Sequence, residues 1–323
     1  MNATWKEREE VGNTLTLRLA IRSATGLGRR ATRALLYPTT LYFFLRRRPE
    51  RRASRAYLER VLERRVSSWH VLRHIHCFAC TILDRLFLLS ERFKRFDIRA
   101  FGLEDLDRVL EGGKGVLLIG AHLGSFDALR VLSLERPDVP VRILLDVGQS
   151  ARLSQVLNTL NPALAASIID ASGAGPTVAI SLKQALDRNS IVAVLADRGQ
   201  PNNAMQSADF LGHAAQFPTS PWLLAAALKV PVMLAFGLYR GGNRYDLHFE
   251  CFADSIAMER SQRAQALAQI LQRFADRLAH YARLAPYNWF NFYDFWHHAP
   301  APPKASPAAG GAVAESGDLL RRS

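Results

Sequence analysis

Residues 115–130, GVLLIGAHLGSFDALR, contain the pattern that decides the fold. The uninterrupted run VLLIG (116–120) predicts a strand buried on both faces, because a half-exposed strand would alternate apolar and polar residues. The chain leaves this strand at Gly120, and the amphipathic stretch 125–134 predicts a helix directly after it. A buried strand followed by a helix is the repeating unit of α/β proteins with a parallel sheet.

The same alternation continues towards the C-terminus. The sequence GGN (241–243) between the last two predicted strands indicates an antiparallel hairpin. The predicted fold class is therefore α/β, with a mainly parallel mixed sheet flanked by helices. The predicted strands are residues 116–120, 141–145, 167–170, 191–196, 232–239 and 245–250, and the predicted helices are residues 125–134, 151–160, 177–187, 220–228 and 260–283.

The first third of the chain differs in charge and pattern. Residues 1–99 hold 22 of the 42 Lys and Arg residues but only 9 of the 29 Asp and Glu residues, so they carry the whole net charge of +13. Arginines alternate with apolar residues at helical spacing through residues 13–95. We therefore expect a basic, helical, membrane-apposed region at 1–99, an α/β domain at 100–298, and a disordered Pro/Ala/Gly-rich tail at 299–323.

One apolar stretch of the basic region suits a membrane surface. Residues 34–45 are uncharged, are interrupted by Pro38 and are followed by three arginines at 46–48. A spanning helix needs about 20 apolar residues, so this stretch favours a helix lying in the interface, with a kinked core helix as the alternative. A basic face also fits nucleic acid, but the helices carry apolar faces and no recognised nucleic-acid motif, so no nucleic-acid partner is expected.

His122 and Asp127 are the first candidate catalytic residues. His122 follows the first predicted strand, at the edge where open α/β sheets have their active sites. Gly124 or Ser125 can cap the next helix and place Asp127 in its first turn. A carboxylate there can accept a hydrogen bond from one imidazole nitrogen and leave the other free as a general base. The alternative is a loop histidine beside a carboxylate that only complements the helix dipole.

A second pair of candidates follows a neighbouring predicted strand. Asp197 and Arg198 come after residues 191–196, so we expect them to line the same cleft as His122. Arg198, or backbone N–H groups near Gly124 and Ser125, could stabilise an oxyanion that forms in this cleft.

The order of these motifs resembles that of the lysophospholipid acyltransferase superfamily, and is most similar to its bacterial branch of lipid A lauroyl/myristoyl acyltransferases. His122 and Asp127 match the His-x4-Asp motif, and IVAVLADRGQ (191–200) resembles the strand that ends in Asp. The segment 208–240 is similar to a later motif, although Thr-Ser-Pro (219–221) stands where the family usually has Gly-Pro. The resemblance covers residues 100–298 and implies a substrate-binding role for Gly124, Ser125, Asp197, Arg198, Gly212, Phe217 and Pro218.

The resemblance implies acyl transfer from a thioester, carried by acyl carrier protein or by coenzyme A, to a hydroxyl or amine of a membrane lipid or glycolipid. It places the protein at the cytoplasmic face of the bacterial inner membrane, as a peripheral or monotopic protein without a cofactor. An acyl-enzyme route through Ser125, Cys77 or Cys80 is the competing mechanism, and a catalytically silent lipid-binding homologue is a competing function. The lone Cys-x-x-Cys of HIHCFAC (74–80) lies in a helical pattern, so no metal site is expected.

An aromatic segment lies near the end of the predicted α/β domain. It reads YNWFNFYDFW (287–296). Such density favours a membrane-facing belt or the wall of an acyl-binding groove, and plain core packing is the alternative.

Overall fold

The computed structural model describes residues 14–89, 93–130, 138–147, 161–173, 175–199 and 203–296, with the backbone alone described for residues 14–27, 93, 130 and 164. The predicted helix at 151–160 and the predicted disordered tail at 299–323 lie outside the described residues. The predicted helix at 125–134 is described only as far as residue 130, where it is a short 3-10 helix (Phe126–Arg130).

The N-terminal part of the chain is helical, which confirms the prediction for this region. Helix α1 (Thr14–Arg46) bends at Gly28, whose φ is 79°, and Pro38 lies inside it. No helix within the described ranges is long and apolar enough to cross a bilayer. The elements are α1 (Thr14–Arg46), α2 (Arg48–Val61), α3 (Ser68–Leu89) and a 3-10 turn (Phe93–Arg95).

The rest of the described chain is an α/β structure. Its sheet strands are β1 (Asp97–Phe101), β2 (Val116–Gly120), β3 (Val141–Leu145), β4 (Ile168–Asp170), β5 (Ile191–Leu195), β8 (Val232–Gly241) and β9 (Arg244–Ala253), and β6 (Met205–Phe210) with β7 (His213–Pro218) forms a separate hairpin. The helices are α4 (Leu103–Glu111), α5 (Pro162–Ala165), α6 (Gly175–Asp187), α7 (Ser220–Leu228) and α8 (Arg263–Leu284).

The main sheet has the strand order β1-β9-β8-β2-β5-β3-β4. Neighbours in the block from β8 to β4 run parallel, β9 is antiparallel to β8, and β1 is parallel to β9. This arrangement confirms the predicted mainly parallel mixed sheet and the predicted hairpin around residues 241–243. Strand β1 begins at Asp97, just before the predicted domain boundary at residue 100.

Each face of the sheet has its own hydrophobic core. Along β2, Leu117 and Ile119 face one core, which includes residues of α2, α7 and α8, whereas Val116 and Leu118 face the other, which includes residues of α3 and α4. All five residues of β2 are buried. Helices α2 and α3 therefore cover the sheet directly, and the apolar run of β2 is buried on both sides because helices pack on both sides.

Strand β1 and the β6–β7 hairpin were not predicted from the sequence. The hairpin turns through Leu211 and Gly212, which have φ values of 56° and 79°. A leucine in the left-handed region is uncommon, so the sequence lacks the Asn-Gly type of signal that identifies a two-residue turn.

Candidate active site

The candidate site lies where β2 and β5 end side by side. These strands are parallel neighbours, with Gly120 in register with Leu195. Because their carboxyl ends meet at one edge, the loops that follow bring His122 and Asp197 together. The distance from His122 Nδ1 to Asp197 Oδ1 is 2.8 Å. The structure thus brings the two strand ends together. Arg198 lines the same cavity as His122, whereas Asp197, which was expected to line it too, is fully buried and is not among its lining residues.

Asp197 is completely buried and is held by several partners. Its second oxygen, Oδ2, accepts a hydrogen bond from Trp289 Nε1 at 3.2 Å and lies 3.8 Å from Arg198 Nε. Burial raises the pKa of the Asp197 carboxyl, but the contacts with His122 and Arg198 outweigh burial and hold this pKa at about 2. Asp197 is therefore ionised at neutral pH and acts as an acceptor for both the imidazole and the indole N–H.

His122 has the properties of a neutral imidazole. Its side chain is 38% exposed. Burial and the positive charge of Arg198 lower the pKa of His122 from 6.5, while Asp197 opposes them. With an ionised acceptor at Nδ1, the ring proton resides on Nδ1. Nε2 is then unprotonated, and it has no hydrogen-bond partner among the described residues, as a general base requires.

The predicted hydrogen bond between Asp127 and His122 is not formed in the structure. Its Oδ2 accepts a hydrogen bond from Arg85 Nε at 2.5 Å, and Arg85 belongs to α3. The prediction assumed that an α-helix begins at residue 125, whereas the chain forms a 3-10 helix (Phe126–Arg130) that turns the carboxylate towards α3. The carboxylate bonded to His122 in the structure is Asp197, and Asp127 lines the same cavity in a pair with Arg85.

The loop that carries His122 is fixed by backbone contacts on both sides. Phe290 N donates to the His122 carbonyl at 3.0 Å, Gly124 N donates to the Asn288 carbonyl at 2.8 Å, and Ser125 N donates to the Gly237 carbonyl at 2.7 Å. The backbone N–H groups of Gly124 and Ser125, which were candidates for stabilising an oxyanion, therefore already have acceptors in this structure. Arg198, the other candidate for that role, lines the same cavity as His122 and donates a hydrogen bond from Nη2 to the Phe290 carbonyl oxygen.

Gly124 makes the closest backbone approach at the site. It has a φ of 73°, and a Cβ atom added there would lie 1.9 Å from the Gly237 carbonyl oxygen. We expect Gly124→Ala to destabilise the protein by about 1–3 kcal/mol more than Gly113→Ala, because the residue would overpack against a central strand. Gly113 is the matched control, since its φ is 69° but the space around it is open. Thermal melting of both variants measures the difference, and equal losses would contradict the argument from close approach.

A cavity of about 500 Å³ lies in front of His122. Its polar residues include Arg85, Asp127 and Arg198, and most of the remaining wall is apolar. This volume and this mixture of a large apolar wall with a few polar groups are typical of small-molecule sites. The apolar and aromatic lining residues include Phe78, Ile82, Phe126, Leu195, Phe290 and Phe292.

Ser125 also lines the cavity. Only 3% of the residue is exposed, and its hydroxyl oxygen is buried without a hydrogen-bond partner among the described residues. The structure shows no contact between this hydroxyl and His122, so it gives Ser125 no base of the kind that an acyl-enzyme route needs.

Three predicted substrate-binding residues lie away from this cavity. Gly212 forms the β6–β7 turn, and Phe217 is fully buried, with its ring centroid 5.5 Å from that of Phe295. Pro218 pairs with Met205 in the hairpin and packs beside Gly199, next to the loop that carries Asp197. None of these three residues is among those that line the cavity.

The C-terminal aromatic segment forms the back wall of the site and part of the core. Trp289 is fully buried and bonds to Asp197, while Phe290, Phe292 and Tyr293 line the cavity. Its position fits the predicted groove wall and the core-packing alternative better than a membrane-facing belt. The sequence showed the aromatic density of this segment but not the hydrogen bond from Trp289, and it carried no signal for Arg85.

The histidines and cysteines of HIHCFAC have protein partners. His74 is buried, accepts a hydrogen bond from the Ser54 hydroxyl at 2.8 Å and lies 3.0 Å from the Trp289 carbonyl oxygen; burial lowers its pKa to about 4. Burial raises the pKa of the Cys77 thiol. Across the described ranges, no group of three or more His, Cys, Asp or Glu side chains could hold a metal ion.

Comparison with known proteins shows the family of the chain. No curated protein matches the chain. The family model of the bacterial lipid A biosynthesis acyltransferases matches residues 87–298, about two thirds of the chain, and this range contains both strand ends of the site and the aromatic segment. The chain therefore belongs to the bacterial lipid A biosynthesis acyltransferase family.

Proposed function

We propose that the protein transfers a fatty-acyl group from a thioester to a hydroxyl or amine of a membrane lipid or glycolipid, with His122 as the general base. Its family makes it an acyltransferase of the lipid type. The observation that carries the finer proposal is the hydrogen-bonded series Trp289, Asp197 and His122. It ends in an imidazole nitrogen that has no partner among the described residues and lies beside a cavity with a largely apolar wall.

The reaction needs one base and one site for negative charge. His122 Nε2 removes the proton of the acceptor as its oxygen or nitrogen attacks the thioester carbonyl. The tetrahedral intermediate collapses, the carbon–sulfur bond breaks, and the imidazolium returns the proton to the leaving thiolate. Arg198 supports the negative oxygen, because its guanidinium lines the cavity and the nearby backbone N–H groups are already occupied.

The donor is proposed to be acyl carrier protein in preference to acyl-coenzyme A. Carrier proteins are acidic, and the excess of basic residues in the N-terminal third of the chain would accelerate their association. The decisive experiment incubates the purified protein with each thioester and a bacterial lipid extract, and identifies acylated products by mass. A product formed by the parent protein but not by His122→Ala supports the proposal. Lipid binding without any product would favour a catalytically silent homologue.

We propose a membrane surface as the location of the reaction, with α1 as the contact. Its side chains Tyr37, Leu41 and Leu45 are 68%, 49% and 62% exposed and follow one another at four-residue spacing along one side of the helix. Arginines at 46–48 end this apolar row. An exposed apolar row beside cationic residues is suited to an anionic bilayer surface.

The activity is expected to fall at acid pH with an apparent pKa below 6.5. His122 acts as a base only when neutral, and burial together with Arg198 lowers its pKa, so kcat/KM stays high until the pH falls through that lowered value. In Arg198→Gln the positive neighbour is absent, and the acid limb of the profile should move to higher pH. A kcat/KM profile from about pH 4.5 to 8.5 tests this. An acid limb that is unmoved or moves to lower pH in the variant would contradict it.

A further inference from the structure

A second cavity lies beside α1. Its volume is about 780 Å³, and its walls come from α1, α3, Arg95 before β1, and the turn between β8 and β9. The charged residues in its lining are Arg29, Arg30, Arg33 and Arg95, and none of its described lining residues is acidic. We propose that this cavity binds the phosphate of an anionic lipid headgroup.

Two of the arginines are held in place by the protein. Arg29 Nε and Nη2 donate to the two oxygens of the buried Asp84 at 2.7 and 2.8 Å. Arg33 donates to the Tyr239 hydroxyl at 2.6 Å and to the Gly242 carbonyl at 2.9 Å. These contacts leave further N–H donors on both guanidinium groups. A ligand would therefore meet donors that are already oriented, and little side-chain entropy would be lost on binding.

The cavity keeps an excess of positive charge after this pairing. Asp84 neutralises one charge of the Arg29–Arg33 pair, whereas Arg30 and Arg95 have no ion-pair partner among the described residues. The lining His76 adds no charge at neutral pH, because burial and Arg33 lower its pKa. A guanidinium cluster of this kind matches the charge and the oxygen geometry of a phosphate.

The neighbouring surface indicates that the phosphate belongs to a lipid. Tyr37 lines the cavity, stacks on His76 with ring centroids 4.7 Å apart, and is the first residue of the exposed row that continues through Leu41 and Leu45. A headgroup in the cavity would place its acyl chains along this row. A free phosphate ion would make no use of it. This step rests on the proposed membrane contact of α1, and not on the acyl-transfer chemistry.

The test compares two double variants of equal charge change. Arg30→Glu with Arg95→Glu alters the cavity and spares the two arginines that neutralise Asp84. Arg188→Glu with Lys229→Glu is the control, since both residues are exposed. They precede the amino ends of the parallel strands β5 and β8, whereas the cavity includes the turn at the carboxyl end of β8. Co-sedimentation is measured with two kinds of vesicle that carry the same negative charge. In one kind the charge comes from phosphatidylglycerol, and in the other it comes from oleate, which has no phosphate. Inorganic phosphate is added as a soluble competitor.

We expect the cavity variant to lose roughly tenfold or more of its affinity for phosphatidylglycerol vesicles, and the control to lose clearly less. Oleate vesicles should discriminate less between the two variants, and inorganic phosphate at the concentration of the lipid should not displace the protein. The proposal would be overturned if both variants lost the same affinity for phosphatidylglycerol vesicles, or if oleate vesicles separated the two variants equally well. It would also be overturned if inorganic phosphate displaced the protein from the vesicles. The proposal would also be overturned if binding of acyl carrier protein required Arg30 and Arg95 while binding to vesicles did not. Because binding is measured without turnover, an inactive protein would still give a clear answer.

Discussion

Replacing His122 by alanine is expected to lower the turnover number about 10²–10⁴-fold while the protein stays folded. The loss follows from removal of the only proposed base at the cavity. Folding should survive because the imidazole is partly exposed, and Asp197 keeps its hydrogen bond from Trp289 and its contact with Arg198. The measurement is kcat with the thioester donor, together with the circular dichroism spectrum and thermal midpoint.

The matched control for this prediction is His213→Ala. His213 is exposed on the β6–β7 hairpin, remote from the cavity lining, and its replacement should leave kcat unchanged. If His122→Ala lowers the thermal midpoint, His122→Gln retains a polar group that can reach Asp197 and separates folding from chemistry. A folded His122 variant with parental kcat would exclude this residue as the base.

Asp197→Asn is expected to lower kcat about 10²–10⁴-fold, with a much smaller loss in Asp127→Asn. An amide at position 197 can donate to Nδ1 and so shift the ring proton to Nε2, where it blocks base catalysis. Loss of the carboxylate also removes a charge that raises the pKa of His122, so the acid limb of the kcat/KM profile should move to lower pH. Asp127→Asn leaves Asp197 in place, and its amide oxygen can still accept from Arg85.

This pair of variants separates the two carboxylates that the sequence and the structure assign to His122. A large loss and a shifted pH profile in Asp127→Asn, with a mild effect of Asp197→Asn, would restore the dyad predicted from the His-x4-Asp spacing. A purely structural role for Asp197 would lower the thermal midpoint without moving the acid limb. The pH profile is therefore the readout that distinguishes positioning of the base from support of the fold.

The elements that the sequence predicted well are those whose patterns are local. Strand β2 and the β8–β9 hairpin follow from uninterrupted apolar runs and a Gly-Gly-Asn turn, and the structure has them at nearly the predicted residues. The β6–β7 hairpin was missed because its short strands carry polar residues and its turn contains Leu211. Strand β1, DIRAF, is an edge strand with mostly exposed residues, so it shows no apolar run.

The sequence places His122 and Asp197 at neighbouring strand ends, but it does not give the hydrogen bonds around them. The rule that parallel strand ends meet at one edge correctly brought His122 and Asp197 together. The partner of Asp127 depends on Arg85, which lies 42 residues earlier in the chain and on another element. The availability of the Gly124 and Ser125 amides depends on how the loop lies against Asn288 and Gly237. Contacts of this kind are set by tertiary packing, and a spacing of five residues carries no information about them.

The hydrogen bond between His74 and the Trp289 carbonyl has a consequence for the smallest unit that could work alone. The family match begins at residue 87, near the end of α3. A fragment cut to that range would lack His74, whose imidazole donates to the carbonyl of Trp289, the residue that hydrogen-bonds Asp197. It would also uncover the sheet-facing surfaces that Tyr57 and Leu58 now bury. Helices α2 and α3 are therefore part of the packed structure around the candidate site, and they could not be removed without disturbing it.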